Sequence, residues 1–144
     1  MTHTPVASRE FRPASLWRRL AAIVYDSFAV FAVCFVASGI AVALHHGQAI
    51  ANGSWWFTAS LGLVCYGYFA HSWRRGRTLG MRSWKLRVVD ATTGNAVSWR
   101  QTLLRFVVAL LGWLPAGMGY WRSLWDDEQR TWHDLVSATR LVRD

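Results

Sequence analysis

The sequence predicts a mainly α-helical membrane protein. It has two full transmembrane helices, a broken or re-entrant third, and a small cytoplasmic β-hairpin joined by a C-terminal strand. Three observations predict this class. Of 144 residues, 53% are apolar and only 17% charged, and mean hydropathy is +0.14. Ten Trp and a net charge of +8 sit together in a chain whose soluble core would be too small for them. The positive charge lies in blocks, separated by long and nearly uncharged runs. A disordered chain is excluded by the apolar and aromatic content. The length suits one domain, read as a cytoplasmic tail over 1–16 and a single membrane domain over 17–142.

Residues 20–44 carry Asp26 as their only charge and are long enough to cross a hydrocarbon core of roughly 30 Å. Asp near a helix centre costs roughly 2.5–3.5 kcal/mol, and each Leu, Ile, Val or Phe returns about 0.3–0.6 kcal/mol. Twelve such residues lie in the run, so insertion wins by a small margin. A cleaved signal peptide fits poorly, because the apolar run is too long and a second span follows. That second span covers 55–73, opened by Trp55-Trp56 and closed near Trp73, with His71 inside it, in the pattern of interfacial aromatic belts. The third segment, 99–121, contains Arg105 and is interrupted by Leu114-Pro115-Ala116-Gly117-Met118-Gly119. Pro removes a helical donor and Gly weakens the helix, so a kinked full span and a re-entrant pair of half-helices are both open.

Orientation follows from the bases. Arg9, Arg12, Arg18 and Arg19 precede the first span, and Arg74, Arg75, Arg77, Arg82, Lys85, Arg87 and Arg100 lie between the second and third. The 45–54 connection has no Lys or Arg, so the N-terminus and the long connection are expected in the cytoplasm. A re-entrant third segment keeps Arg122, Arg130, Arg140 and Arg143 on that side and is favoured for this reason. Trp99 and Trp121 at its two ends argue for the full span.

In the long connection Trp84, Leu86 and Val88 alternate with Lys85, Arg87 and Val89, the period of a half-buried strand. Gly94 and Asn95 supply a turn, and Ala96-Val97 is expected to pair back. Ser98-Trp99-Arg100-Gln101 reads as a capping box, and 139–142 as a further strand joining the hairpin. Measured from Arg19 and Arg74, Cys34 and Cys65 fall at depths of roughly 22 and 13 Å, a poor match for a disulfide, so both are expected as free, packed thiols.

Arg19 and Asp26 are seven apart and share a helix face, and Arg105 enters from the same side as the expected partner of Asp26. An intramembrane acid of this kind is either an ion-responsive carboxylate or half of a structural ion pair. Tyr66 and Tyr68 reach a similar depth, either bonding that site or simply packing. His45-His46 cannot share a helical face and lack nearby Cys or carboxylates, so no metal is expected. No HExxH, CxxC, GxSxG or P-loop pattern occurs, so neither an enzyme nor a cofactor is expected. The Arg74-Arg75-Gly76-Arg77 cluster reads as a topology signal that meets anionic lipid, not as a nucleic-acid site.

Three blocks carry a resemblance to a known family. They are Trp17-Arg18-Arg19-Leu20-Ala21-Ala22 with Tyr25-Asp26; Gly76-Arg77-Thr78-Leu79-Gly80-Met81 leading into Trp84-Lys85-Leu86-Arg87-Val88-Val89-Asp90 and on to Arg105; and Arg130-Thr131-Trp132-His133-Asp134-Leu135 with Ser137-Ala138-Thr139. Together they resemble the RDD family of small bacterial membrane proteins. The resemblance implies that Arg19, Asp26 and Asp134 are signature residues, with Thr78, Gly80 and His133 in the matched blocks, and that the protein sits in the inner membrane. If Asp134 belongs with Arg19 and Asp26, the C-terminal segment is cytoplasmic. Arg77 stands where Gln is expected, and Ala138 where Gly is expected at a tight turn.

Two functions remain open. One is a cation- or proton-linked transporter, or a subunit of one, in which Asp26 takes up the ion and Arg19 or Arg105 tunes it. So few spans would need a homo-oligomer to enclose a path. The other is a non-enzymatic membrane adaptor or assembly factor whose basic cytoplasmic sheet docks a partner or anionic lipid.

Overall fold

A computed structural model of the chain describes residues 12–113, 121–127 and 130–143. Strand β1 (Arg12–Pro13) leads into helix α1 (Leu16–Leu44), followed by α2 (Trp55–Arg74), α3 (Leu79–Ser83), β2 (Leu86–Asp90) and α4 (Trp99–Trp113). A 3₁₀ turn (Arg122–Leu124) precedes α5 (Trp132–Val136) and β3 (Thr139–Arg143). The Pro/Gly break at 114–119 lies outside the described residues.

Helix α1 has 29 residues, about 43 Å at the helical rise and well beyond a hydrocarbon core. Among the described residues it is the one helix long and apolar enough to cross a membrane. Its buried residues, Arg19, Ala22 and Asp26, all fall on one face of its first three turns. Farther along, Phe28, Phe31 and Phe35 are each at least 70% exposed, an apolar surface that only lipid or another protein covers favourably. The apolar core sits at the N-terminal end of α1. There Ala14, Ala22, Trp73, Met81, Leu86, Val88, Val97 and Leu141 pack together, so the sheet and the ends of three helices share one interior.

The sheet has the order β1-β3-β2, antiparallel throughout, with Val88 opposite Leu141, Arg87 opposite Val142 and Pro13 opposite Val142 on the other edge. The alternation over 84–89 therefore marks a real strand, but its partner is not Ala96-Val97. Asp90 Oδ1 accepts the backbone N–H groups of Thr92 (2.8 Å) and Thr93 (2.9 Å), and Asp90 N–H donates to the Asn95 carbonyl. This side-chain turn carries the chain away as a loop, in which Val97 is buried as a core residue. The C-terminal strand, expected as an addition to a hairpin, is the central strand. The expected tail contributes the other edge at Arg12–Pro13. Trp84 precedes the strand because Lys85 takes a left-handed φ of 54° at the α3–β2 junction.

Both halves of the Ser98–Gln101 capping box form: Ser98 N–H donates to Gln101 Oε1 (2.8 Å) and Gln101 N–H to Ser98 Oγ (3.3 Å). The Gln101 side-chain amide also donates to Asp90 Oδ2 and the Ala138 carbonyl, tying the start of α4 to both long strands. Ala138 itself has φ 50°, so the tight turn forms without Gly at a cost of about 1–2 kcal/mol.

The two cysteines are free, yet their sulfurs lie 3.4 Å apart, which corrects the depth estimate. Cys34 is ten residues before the end of α1 and Cys65 ten residues after the start of α2. The short connection sets the register of this antiparallel pair, and both thiols sit about 15 Å from it. The opposite ends, from which depth was reckoned, are staggered because α1 extends into the sheet layer. Mild oxidation of the full-length protein should therefore crosslink Cys34 to Cys65 within one chain, read as loss of both alkylatable thiols without dimer formation. Persistence of two free thiols under conditions that oxidise a control dithiol would contradict this register.

Candidate functional site

Asp134 is the third residue of α5, where its carboxylate accepts the Thr131 backbone N–H at 3.2 Å. The same carboxylate is fully buried and meets two guanidinium groups: Arg19 Nη1 of α1 donates to Oδ2 at 2.6 Å, and Arg105 Nη1 of α4 donates to Oδ1. Each arginine has a second anchor. Arg19 Nε donates to the Ala14 carbonyl (3.1 Å), while Arg105 Nη1 donates to Thr139 Oγ1 (2.7 Å) and its guanidinium lies 5.3 Å from the centre of the Trp73 ring. Thr139 Oγ1 is also 2.7 Å from Ser137 Oγ, and Ser137 Oγ donates to the His133 carbonyl. One acid thus joins α1, α4, α5 and the first residue of β3.

Burial pushes the Asp134 carboxyl up, but Arg105 and Arg19 together outweigh burial and hold it below the usual carboxylate range. His133, 2.9 Å from Thr131 Oγ1 through Nε2, is driven down to about 3 by burial first, then by Arg105 and Arg19, against the opposing pull of Asp134. It is neutral at physiological pH.

Asp26 lies on the same face of α1 as Arg19, as the spacing requires, but does not receive Arg105. Both expected partners are taken by Asp134, two helical turns nearer the sheet. Asp26 instead accepts neutral donors: Thr78 Oγ1 at 2.5 Å, the Gly80 backbone N–H at 2.9 Å and Tyr68 Oη at 3.1 Å. Thr78 is the N-cap of α3 and its Oγ1 accepts the Met81 N–H, so Asp26 fastens α3 onto α1. Gly80 is obligatory in this arrangement. A Cβ there would come within 2.1 Å of the Ala22 carbonyl oxygen, so only Gly lets the α3 backbone approach close enough to donate. Tyr68 therefore bonds the acid, whereas Tyr66 Oη meets Thr102 Oγ1 of α4 at 3.4 Å.

A cavity of about 500 Å³ adjoins Asp26 and the two arginines that bind Asp134, with Arg19, Asp26, Arg105 and His133 among its lining residues and an apolar wall that includes Val30, Phe31 and Leu110. Among the described residues no group of three or more His, Cys, Asp or Glu is placed to hold a metal ion. The sequence profile of the RDD family matches residues 13–138. The chain belongs to the RDD family. Neither the curated proteins nor the solved structures compared with it give a match. In this RDD protein the Arg19–Asp134 pair joins the two ends of the matched region. Asp26 forms a separate contact with the middle block at Thr78 and Gly80. Membrane location follows from the family together with the apolar α1.

Asp134→Asn should destabilise the protein by about 3–5 kcal/mol, because two buried guanidinium groups lose their counter-charge. Denaturant unfolding in detergent measures this, and a change within 1 kcal/mol would contradict the assigned role. Acid should also destabilise the fold. Unfolded chains take up a proton on His133 near pH 6.5, which the folded protein refuses until about 3. Stability is therefore complete above pH 6.5 and declines as pH falls through this window; the lowered Asp134 adds a further loss at lower pH. The thermal midpoint should be lower at pH 5 than at pH 7.5, with His133→Asn narrowing the gap. An unchanged gap in that variant would remove His133 as its source.

Proposed function

We propose that this RDD protein is a non-enzymatic membrane adaptor or assembly factor whose basic layer docks an acidic partner or anionic lipid head groups. The observation that carries the reading is the sign of its surface. Among the described residues the exposed bases are Arg12, Arg74, Arg75, Arg82, Lys85, Arg100, Arg122 and Arg143, against Asp127 as the exposed acid. A surface so unbalanced attracts anionic partners at long range and in a salt-dependent way. The charged interior supports the same reading, since Asp134 is bound by two arginines and holds elements together.

In the arrangement we propose, α1 and α2 are full spans and the chain is multi-pass. The 99–121 segment is re-entrant, and the N-terminus faces the cytoplasm of a bacterial inner membrane. Pairing of β3 with β1 supports the re-entrant path, because it keeps Arg143 beside Arg12, with Arg140 in the same strand. Ion-linked transport has one observation in its favour, the position of Asp26 on the cavity wall. Against it, three neutral donors already occupy most of the roughly four acceptor positions of that carboxylate.

Crosslinking in native membranes followed by capture of the tagged protein tests the adaptor reading. A specific co-captured protein or anionic lipid should be lost when Arg82 and Lys85 are both changed to Glu, while membrane insertion is retained. Capture of the chain alone, or a set of partners unaltered by Arg82→Glu/Lys85→Glu, would oppose it. Ion flux in liposomes that Asp26→Asn abolishes would favour the transporter instead.

A further inference from the structure

The cavity between α1 and α4 is separate from the basic surface and has features of its own. Along α1 its lining runs from Arg19 through Asp26 and Val30 to Cys34, about 22 Å of helix, more than the roughly 15 Å acyl depth of one leaflet. Its volume of about 500 Å³ falls inside the roughly 300–1,000 Å³ range of small-molecule sites. At one end it is polar and at the other apolar, the shape of an amphiphile.

The polar end holds unspent donors. Arg19 and Arg105 are only 4% and 2% exposed, yet among the described residues Arg19 Nη2 and Arg105 Nε find no acceptor, and neither does Nε1 of the buried Trp73, which lines the same cavity. Buried N–H groups without acceptors are costly, and more so when charged. The formal charge at this end is positive by one, from Arg19 and Arg105 against Asp134, with His133 neutral. Asp26 balances that charge over the cavity as a whole, but it lies about 10 Å deeper with three donors of its own. An acceptor with negative charge is therefore favoured beside the arginines and disfavoured beside Asp26.

We propose that this groove holds one anionic phospholipid from the adjoining leaflet. Its phosphate sits at the end lined by Arg19, Arg105 and Trp73, whose closed-off N–H groups turn toward it on binding, and one acyl chain lies along Val30, Phe31 and Leu110. Phosphate matches the planar donor fork of a guanidinium, and the apolar wall replaces the neighbouring chains that the lipid loses on leaving the bilayer. The bound head group would satisfy donors that the protein leaves open, so lipid and ion-pair cluster stabilise one another.

The test uses the full-length protein exchanged into nanodiscs of phosphatidylglycerol mixed equally with phosphatidylcholine and palmitate, then released for native mass spectrometry. One phosphatidylglycerol per chain should survive activation that strips other lipids. Ala109→Trp, which fills the cavity from α4 one turn beyond Arg105, should lower that retention at least about tenfold. On the unaltered protein, phosphatidylglycerol with a photoreactive acyl end should label peptides containing Phe31 or Leu110 in preference to Phe28 or Phe35, a readout independent of how the variant folds. Retention of palmitate instead, no retained lipid, equal retention by Ala109→Trp, or labelling spread evenly over α1 would each overturn the proposal.

Discussion

A single buried carboxylate joins the long apolar helix α1 to the segment that carries the C-terminal strand β3. Asp134 is fully enclosed, and an isolated carboxylate in that position would be far too costly to remain ionised. Two guanidinium groups, one from α1 and one from α4, make it tolerable, and each is itself buried at 4% or less exposure. The dependence is mutual: neither arginine could stay charged and dry without the acid between them. Because the three residues arrive from elements distant in sequence, their charge balance closes only when α1, α4 and α5 are all in place. The cluster thereby specifies the tertiary arrangement, which is a different contribution from net stability, since a well-packed apolar replacement often matches a buried ion pair in free energy.

The second buried acid solves the same problem by other means. Asp26 sits farther along α1, and its three donors are a hydroxyl from Thr78, a phenol from Tyr68 and one backbone amide from Gly80. Neutral donors avoid a second buried cation, but they need close backbone approach, and Gly80 provides it. The two acids divide the work of assembly. Asp26 fastens α3, and through it the start of β2, to α1; Asp134 fastens α5 and β3. The two strands then pair with each other, completing a closed circuit around the apolar core.

Much of this architecture was legible in the sequence where the signal is local. Hydropathy located α1 and α2, the Ser98–Gln101 capping box located the start of α4, alternation located β2, and β-prone residues located β3. The shared face of Arg19 and Asp26 followed from helical spacing. Partner choice was not legible. Nothing local distinguishes Asp26 from Asp134 as the acceptor for Arg105, and proximity along an assumed membrane depth favoured the wrong one. Ala96-Val97 has strand propensity, yet the Asp90 side chain bends the backbone into a turn first. The cysteine register depended on the connection at 45–54 rather than on the charged ends. Thr139 carried no signal beyond its residue type, because its role arises only when distant elements meet, whereas depth alone put Tyr68 near Asp26 without deciding between bonding and packing. The family resemblance supplied what periodicity lacked, by marking Asp134 and Gly80 before any contact was visible.

The sheet offers the most direct test of the closed arrangement. Arg12 pairs with Arg143 across β1 and β3, so the two ends of the described chain must lie on one side of whatever membrane α1 crosses. Cysteines placed singly at Arg12 and Arg143, with Cys34 and Cys65 changed to Ser, can be labelled with an impermeant maleimide in sealed vesicles of known orientation. The account predicts that both react from the same face. Labelling from opposite faces would contradict it, because the chain would then have to cross between them and Asp134 could not reach Arg19.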